Sequence, residues 1–250
     1  DSPSDYAVKL AKNDDRTHPL AEQLLRREAL VGSTVSHPHL CCVLSSYVHR
    51  SPYYVVMPFL EGRTAEQAIL QTGHIPASNA LWMARQTAEA MTALHRAGWI
   101  HSDVKPSNIL VSTDNHATLL DLGLARRIGQ DECHRGGPLT GTLSYAAPES
   151  FSSLVDTGPA SDVYALGVTL YRMVVGALPF VEHDPEKLAA AHVHCHPPDP
   201  RNRNPHLSAE IVQLLECMLD KQPSRRPTFD DLVQWLADLE YDTHGQRVAA

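Results

Sequence analysis

The sequence predicts an α+β fold of two lobes, a small strand-rich one and a larger helical one, with a polar site where they meet. Three observations carry that prediction. Strand-like runs fall early, at 5–11, 41–49 and 52–58, whereas helical periodicity dominates beyond residue 64. Residues 162–175 are apolar nearly all round, as a helix at the centre of a lobe should be. Between these regions lie WIHSDVKPSNIL (99–110) and TLLDLGLA (118–125), which set charged residues beside apolar runs. The pattern shifts near 60–63, so residues 1–60 read as the first lobe, in partial form, and 61–250 as the second.

Along the first strand Ala7 and Lys9 share a face, because successive side chains alternate. Pro19 opens a helix whose apolar side reads as Leu20, Leu24, Val31 and Val35. Glu28 falls on that side; a carboxylate there needs a cation, and Lys9 is the candidate. Gly32 costs this helix about 1 kcal/mol relative to alanine, which predicts a mobile element. The strand in YYVVMPFLEG (53–62) exits into a turn at Glu61-Gly62, and Thr64 with Gln67 reads as a capping box for a short helix. Leu81, Ala84, Ala88, Met91 and Leu94 then mark a long amphipathic helix that delivers the 99–110 segment. Ser208 caps a helix running to Met218, and Leu232, Trp235, Leu236 and Leu239 line the last one.

The chemistry is concentrated in the two central segments. Asp103, Lys105 and Asn108 lie within six residues, just before Ile109-Leu110-Val111, and Asp121 stands among leucines. A carboxylate in such a run is costly to bury unless a cation, a metal or strong donors meet it. Together these residues supply a base, a cation and two oxygen ligands for a hard divalent ion, which are the parts needed to move a phosphoryl group. Magnesium takes few protein oxygens and keeps its other positions for water and phosphate, so Asn108 and Asp121 suffice. Asp103 would deprotonate an attacking hydroxyl, and Lys105 would neutralise the transferred group. Any one of these alone would be an ordinary solvated loop residue; the spacing is what carries the reading.

Composition sets the outer bounds. A chain of 250 residues, 43% hydrophobic, can bury a sizeable core. A net charge of −8 argues against nucleic acid as a partner. The longest apolar stretch, YALGVTLYRMVVGALPF, is interrupted by Arg172 and Pro179, so membrane contact is not expected from this chain. Five cysteines without disulfide-type spacing predict reduced thiols and a cytoplasmic location. HVHCHPP (192–198) has neither C-x-x-C nor H-x-x-x-H spacing and reads as a Pro-rich connection, and Arg126-Arg127 as a solvated turn.

HSDVKPSN resembles the H-R-D-x-x-x-x-N catalytic loop of bacterial, eukaryotic-like serine/threonine protein kinases, and DLG resembles their D-F-G motif. YAVKL (6–10), RREALVGSTVSHPHL (26–40), AAPES (146–150), SDVYALG (161–167) and RRP (225–227) match further motifs in the family's order. The resemblance implies ATP and Mg2+ as cofactors and serine or threonine hydroxyls of proteins as acceptors. It implies Lys9 as phosphate clamp, Glu28 as its partner, Asn108 and Asp121 as metal ligands, and Asp103 as base. Lys105 and a bracing Thr142 mark the serine/threonine class. Ala7 and Leu110 would sandwich the adenine, Met57 would guard the back of its pocket, and the backbones of Pro58 and Leu60 would read its edge. The departures are Ser102 for arginine, Leu122 for phenylalanine and no glycine-rich loop. Asp1-Ser2-Pro3-Ser4-Asp5 reads as an interior turn, so a longer parent carrying that loop is expected. Two alternatives stand beside this reading: a pseudokinase binding module, favoured by the missing loop, and an aminoglycoside-type phosphotransferase, favoured by Ser102.

Overall fold

The elements follow one another in the order strands, helix, strands, helices. In the computed structural model, which describes residues 5–11, 18–129, 143–151 and 157–248, β1 (Tyr6–Leu10) precedes α1 (His18–Thr34), and β2 (Ser45–Tyr47) and β3 (Tyr54–Pro58) follow. These strands form an antiparallel sheet in the order β1-β3-β2. β4 (Arg63–Thr64) leads into α2 (Ala65–Thr72), α3 (Ala77–Arg96) and β5 (Trp99–Ile100). β6 (Ile109–Val111), β7 (Ala117–Leu119) and β8 (Arg126–Arg127) surround the chemical segments. α4 (Pro159–Val175), α5 (Pro185–His194), α6 (Ala209–Met218) and α7 (Phe229–Val248) complete the larger, helical lobe. The fold is the two-lobe α+β architecture read from the sequence, and the described residues include no helix long and apolar enough to cross a membrane.

Local signals account for much of this. Thr64 and Gln67 do form a capping box, the Thr64 hydroxyl accepting from Gln67 N and the Gln67 side chain accepting from Thr64 N. Ser208 caps α6 by accepting from Ile211 N. α4 is buried along nearly its whole length, and Gly167 lets α6 approach it: a Cβ there would sit 2.8 Å from Met218 Cβ. Gly32 serves α1 in the same way. Its Cβ would lie 2.7 Å from Val43 Cγ2, and its carbonyl accepts from Val43 N at 3.0 Å, so packing explains the residue.

Three readings need correction. Leu20 does not belong to the buried face of α1: it is 50% exposed, whereas Glu28, Val31 and Val35 are buried as read and Leu25 and Ala29 join them where the helix meets β3 and the core. Arg126 and Arg127 form β8, paired antiparallel with β5, rather than a turn. HVHCHPP is not a connection throughout: His192 and His194 close α5, because Asp184 caps it and Pro185 opens it. His192 is fully buried while residues 194–196 are exposed, so the cluster does not converge.

The lobes are joined by backbone bonds at residues 39–41. Leu119 N donates to His39 O at 2.8 Å, Cys41 N donates to Leu119 O at 2.9 Å, and Leu40 bridges Leu119. The loop after α1 is thereby tied to β7, two residues before Asp121.

Candidate active site

β1 and α1 bring Lys9 and Glu28 together from opposite layers. Lys9 Nζ donates to Glu28 Oε2 at 2.8 Å and to Asp121 Oδ1 at 2.9 Å, which joins the two lobes through one ammonium. Burial alone would lower the lysine pKa, but Asp121 and Glu28 outweigh it and hold the value above the ordinary one. Glu28 is 5% exposed, and burial raises its carboxyl pKa despite the opposing pull of Lys9. Burial would also raise Asp121, yet the charge and hydrogen bond of Lys9, with the Gly123 N–H, bring it below the usual range.

The 101–108 segment is held as a second cluster. Lys105 Nζ lies 2.8 Å from Asp103 Oδ2, while Asn108 Nδ2 donates to the Asp103 carbonyl at 2.8 Å and to Oδ2 at 2.9 Å. Asn108 immediately precedes β6 and Asp121 follows β7, and Leu120 N donates to Asn108 O at 2.8 Å. The hairpin pairing Ile109 with Leu119 therefore carries both residues at one end.

Asp162 on α4, within the SDVYALG segment, organises this loop. It is 1% exposed and accepts from His101 N at 2.8 Å, Ser102 N at 2.9 Å and His95 Nε2 at 2.9 Å. Burial would raise its pKa, but these donors bring it down. The sequence signal is that Asp162 is the only acidic residue of α4. Ser102 and Asp121 both have positive φ, 68° and 63°, unusual for non-glycine residues and costing about 1–3 kcal/mol each unless the surroundings impose it. Asp162 imposes it on Ser102, helped by Arg126 Nε, which donates to Ser102 Oγ at 3.0 Å.

The residues that the resemblance assigns to the adenine lie on or beside the first sheet and on β6. Ala7 and Met57 are register partners on β1 and β3. Odd-numbered residues of β1 make the hydrogen bonds to β3, as Phe59 N to Asp5 O and Ala11 N to Tyr53 O mark, so Pro58 lies opposite Tyr6 at a non-bonded position and its missing N–H costs the β1–β3 ladder nothing. Leu60 follows β3, and among the described residues no backbone hydrogen bond uses its N–H or carbonyl. Leu110 is half-buried between buried Ile109 and Val111. Thr142 lies outside the described residues.

A model of the protein kinase domain matches residues 1–236. The chain belongs to the protein kinase domain family. This kinase domain is 28% identical over 234 residues to a probable serine/threonine-protein kinase of Clostridium perfringens, covering 94% of this chain and 34% of that protein. It is 32% identical over 225 residues to the serine/threonine-protein kinase PknA of Mycobacterium tuberculosis, covering 88% of this chain and 51% of PknA. With PknB of Mycobacterium leprae it shares 30% over 241 residues, 94% of this chain and 38% of PknB. The kinase domain thus spans between about a third and a half of the length of these bacterial relatives.

Proposed function

We propose that the chain is a serine/threonine protein kinase domain that transfers the γ-phosphoryl group of ATP to hydroxyls of protein substrates. The observation that carries this is the pair of clusters, Lys9–Glu28–Asp121 and Asp103–Lys105–Asn108, linked by one hairpin end. Phosphoryl transfer asks chiefly for positioning and charge stabilisation, and both clusters consist of groups suited to that.

Asp103 accepts the proton of the attacking hydroxyl, and Lys105 and Asn108 hold its carboxylate in one orientation. Lys105 is close enough to Asp103 to face the same hydroxyl and to offset charge on the transferred group. Lys9, fixed by Glu28, clamps the nucleotide phosphates. The donor set fits Mg2+: with Asn108 Nδ2 committed to Asp103 and Asp121 Oδ1 committed to Lys9 and Gly123, Asn108 Oδ1 and Asp121 Oδ2 are the oxygens that would meet a hard cation. When bound, Mg2+ supplies charge neutralisation on the phosphates. Ala7, Met57, Leu110 and the backbones of Pro58 and Leu60 form the adenine side. Residues 1–60 form the smaller lobe and 61–250 the larger.

The relatives' names support serine and threonine as acceptors. Incubation with ATP, Mg2+ and a mixture of serine, threonine and tyrosine peptides, followed by phosphoamino-acid analysis, tests the reading. Phosphoserine or phosphothreonine is expected; nucleotide binding without transfer would favour a pseudokinase.

A further inference from the structure

Arg27 immediately precedes Glu28 on α1 and belongs to neither cluster of the proposed site. Leu24, Arg27 and Glu28 stand at i, i+3 and i+4, so they share one side of the helix. That side meets the run from Asp121 to Ala125. A Cβ on Gly123 would lie 3.3 Å from the Leu24 carbonyl oxygen and 3.4 Å from Leu24 Cβ, so the missing side chain lets the helix settle here. Arg27 Nη1 donates to Ala125 O at 2.6 Å. Ala125 N in turn donates to Leu122 O at 3.1 Å, so the carbonyl that Arg27 holds closes a turn directly after Asp121. Ala125 and Leu122 are each 1% exposed, which makes that carbonyl dependent on a protein donor. The same guanidinium stands 5.8 Å from the ring of buried Trp99, and Arg127, the register partner of Trp99, stands 4.3 Å from it. One side chain of α1 therefore touches both central segments, 99–110 at the Trp99 ring and 118–125 at the Ala125 carbonyl.

We propose that Arg27 is a positioning residue for phosphoryl transfer: its bond to Ala125 and its seat by Trp99 fix α1 so that Glu28 and Asp121 reach Lys9 together. The inference rests on the function proposed above and adds to it the residue that aligns the two lobes. Lys9 Nζ is met at once by Glu28 Oε2 at 2.8 Å and Asp121 Oδ1 at 2.9 Å, and a small turn or slide of α1 would keep one contact and lose the other. Lys9 cannot set the helix position itself, because its flexible, partly exposed ammonium follows whichever carboxylate moves. The contacts of Arg27 are of another kind. They go to a buried backbone carbonyl and a buried ring, neither of which follows a moving helix. A guanidinium suits this double contact, since it donates in its plane while its face lies toward an aromatic ring, and lysine cannot do both. Alignment matters here because a misplacement of about 1 Å can cost roughly 10²-fold in rate.

The test places Arg27→Met, which keeps the aliphatic stem and loses the donor, in the parent chain and in a Glu28→Gln background. Two quantities are read: single-turnover transfer from Mg-ATP to a serine or threonine peptide, and the rate at which acetic anhydride acetylates Lys9, followed by peptide mass spectrometry. In the parent, Arg27→Met is expected to slow transfer by roughly 10–10²-fold and to speed Lys9 acetylation by roughly threefold or more. Both factors should shrink in the Glu28→Gln background, because the alignment that Arg27 provides has already lost a partner. Arg27→Lys, the milder change, should show the same pattern at smaller size and serves if Arg27→Met does not fold. Equal factors in the two backgrounds, or Lys9 acetylation that does not respond to Arg27, would overturn the proposal and leave Arg27 as one more contact of the fold. A parent chain that transfers nothing would instead defeat the proposed function, and the Lys9 acetylation cycle would still decide whether Arg27 aligns Glu28 with Lys9.

Discussion

Asp162 shows how much one side chain sets at the residue scale. Its carboxylate meets two backbone N–H groups and the His95 ring, away from solvent. Asp162→Ala leaves those donors buried and unpaired, at about 1–3 kcal/mol for each such group. We expect a fall in melting temperature and a slower transfer rate, because Ser102 loses what holds it at positive φ. Asp162→Asn, which keeps one acceptor, should lose less of both; equal loss by the two variants would contradict the positioning role. Because the Asp162 pKa is depressed in the fold, its contribution is present above the unfolded value of about 3.9 and is lost as pH falls through the folded one. Lys9→Met should reduce phosphoryl transfer at least roughly 10²-fold with little change in melting temperature, since the ammonium is partly exposed and in the proposed function serves phosphate more than fold. A large melting shift would reassign it as structural. Of these residues Asp103, Lys105, Asn108 and Asp121 were legible because they stand close together in sequence, whereas the work of Asp162 depends on a contact some sixty positions away.

Two elements carry the joint between the lobes. α1 reaches the sheet closely only because residue 32 is glycine, so Gly32→Ala should destabilise despite better helix propensity. Overpacking costs about 1–3 kcal/mol, and Val43→Ala should recover part of it; a chain stabilised by Gly32→Ala would refute the packing role. Beside it, the loop 35–40 holds His37 and His39 against His116 and Glu89. His39 N donates to His37 Nδ1 at 3.2 Å, His39 Nδ1 meets Ala117 O at 2.8 Å, and the His39 and His116 rings are 4.4 Å apart. Burial is the main cause that lowers both His37 and His39, opposed by Glu89. The unfolded chain therefore binds protons more readily, and stability falls as pH drops below about 6.5. The protection of amides across 35–43, taken relative to their intrinsic exchange rate at each pH, should fall between pH ~7.5 and ~5.5, and His37→Gln with His39→Gln should flatten that change. An unchanged pH response in the double variant would contradict it. The strands, the capping box and α3 could be read from period and turn chemistry. The exposure of Leu20 at the start of α1 and the strand at 126–127 could not, because a helix's first turn and a two-residue pairing are chosen by neighbours.

Across the whole molecule, α4 is the common support. It carries Asp162 under the loop, packs against α3 and α6, and borders the buried pair of Arg226 with Glu149, whose exposures are 0% and 3%. That pair, reinforced by Ser161 and the Ala160 carbonyl, ties the 148–151 turn to the segment before α7. Removing one partner of such a pair typically costs about 3–5 kcal/mol, so Arg226→Met should unfold the larger lobe at much lower temperature, and a melting curve like the parent's would show the pair to be dispensable. Above this support, the two lobes meet at Lys9 and Asp121, and the account stands on that meeting being a phosphoryl-transfer site. Single-turnover transfer from Mg-ATP to a serine or threonine peptide, read beside nucleotide affinity for the parent and Asp103→Asn, tests it most directly. Asp103→Asn should slow transfer by roughly 10²–10⁴ with affinity nearly unchanged; a variant that keeps more than about half of the parent's rate would rule out Asp103 as the base.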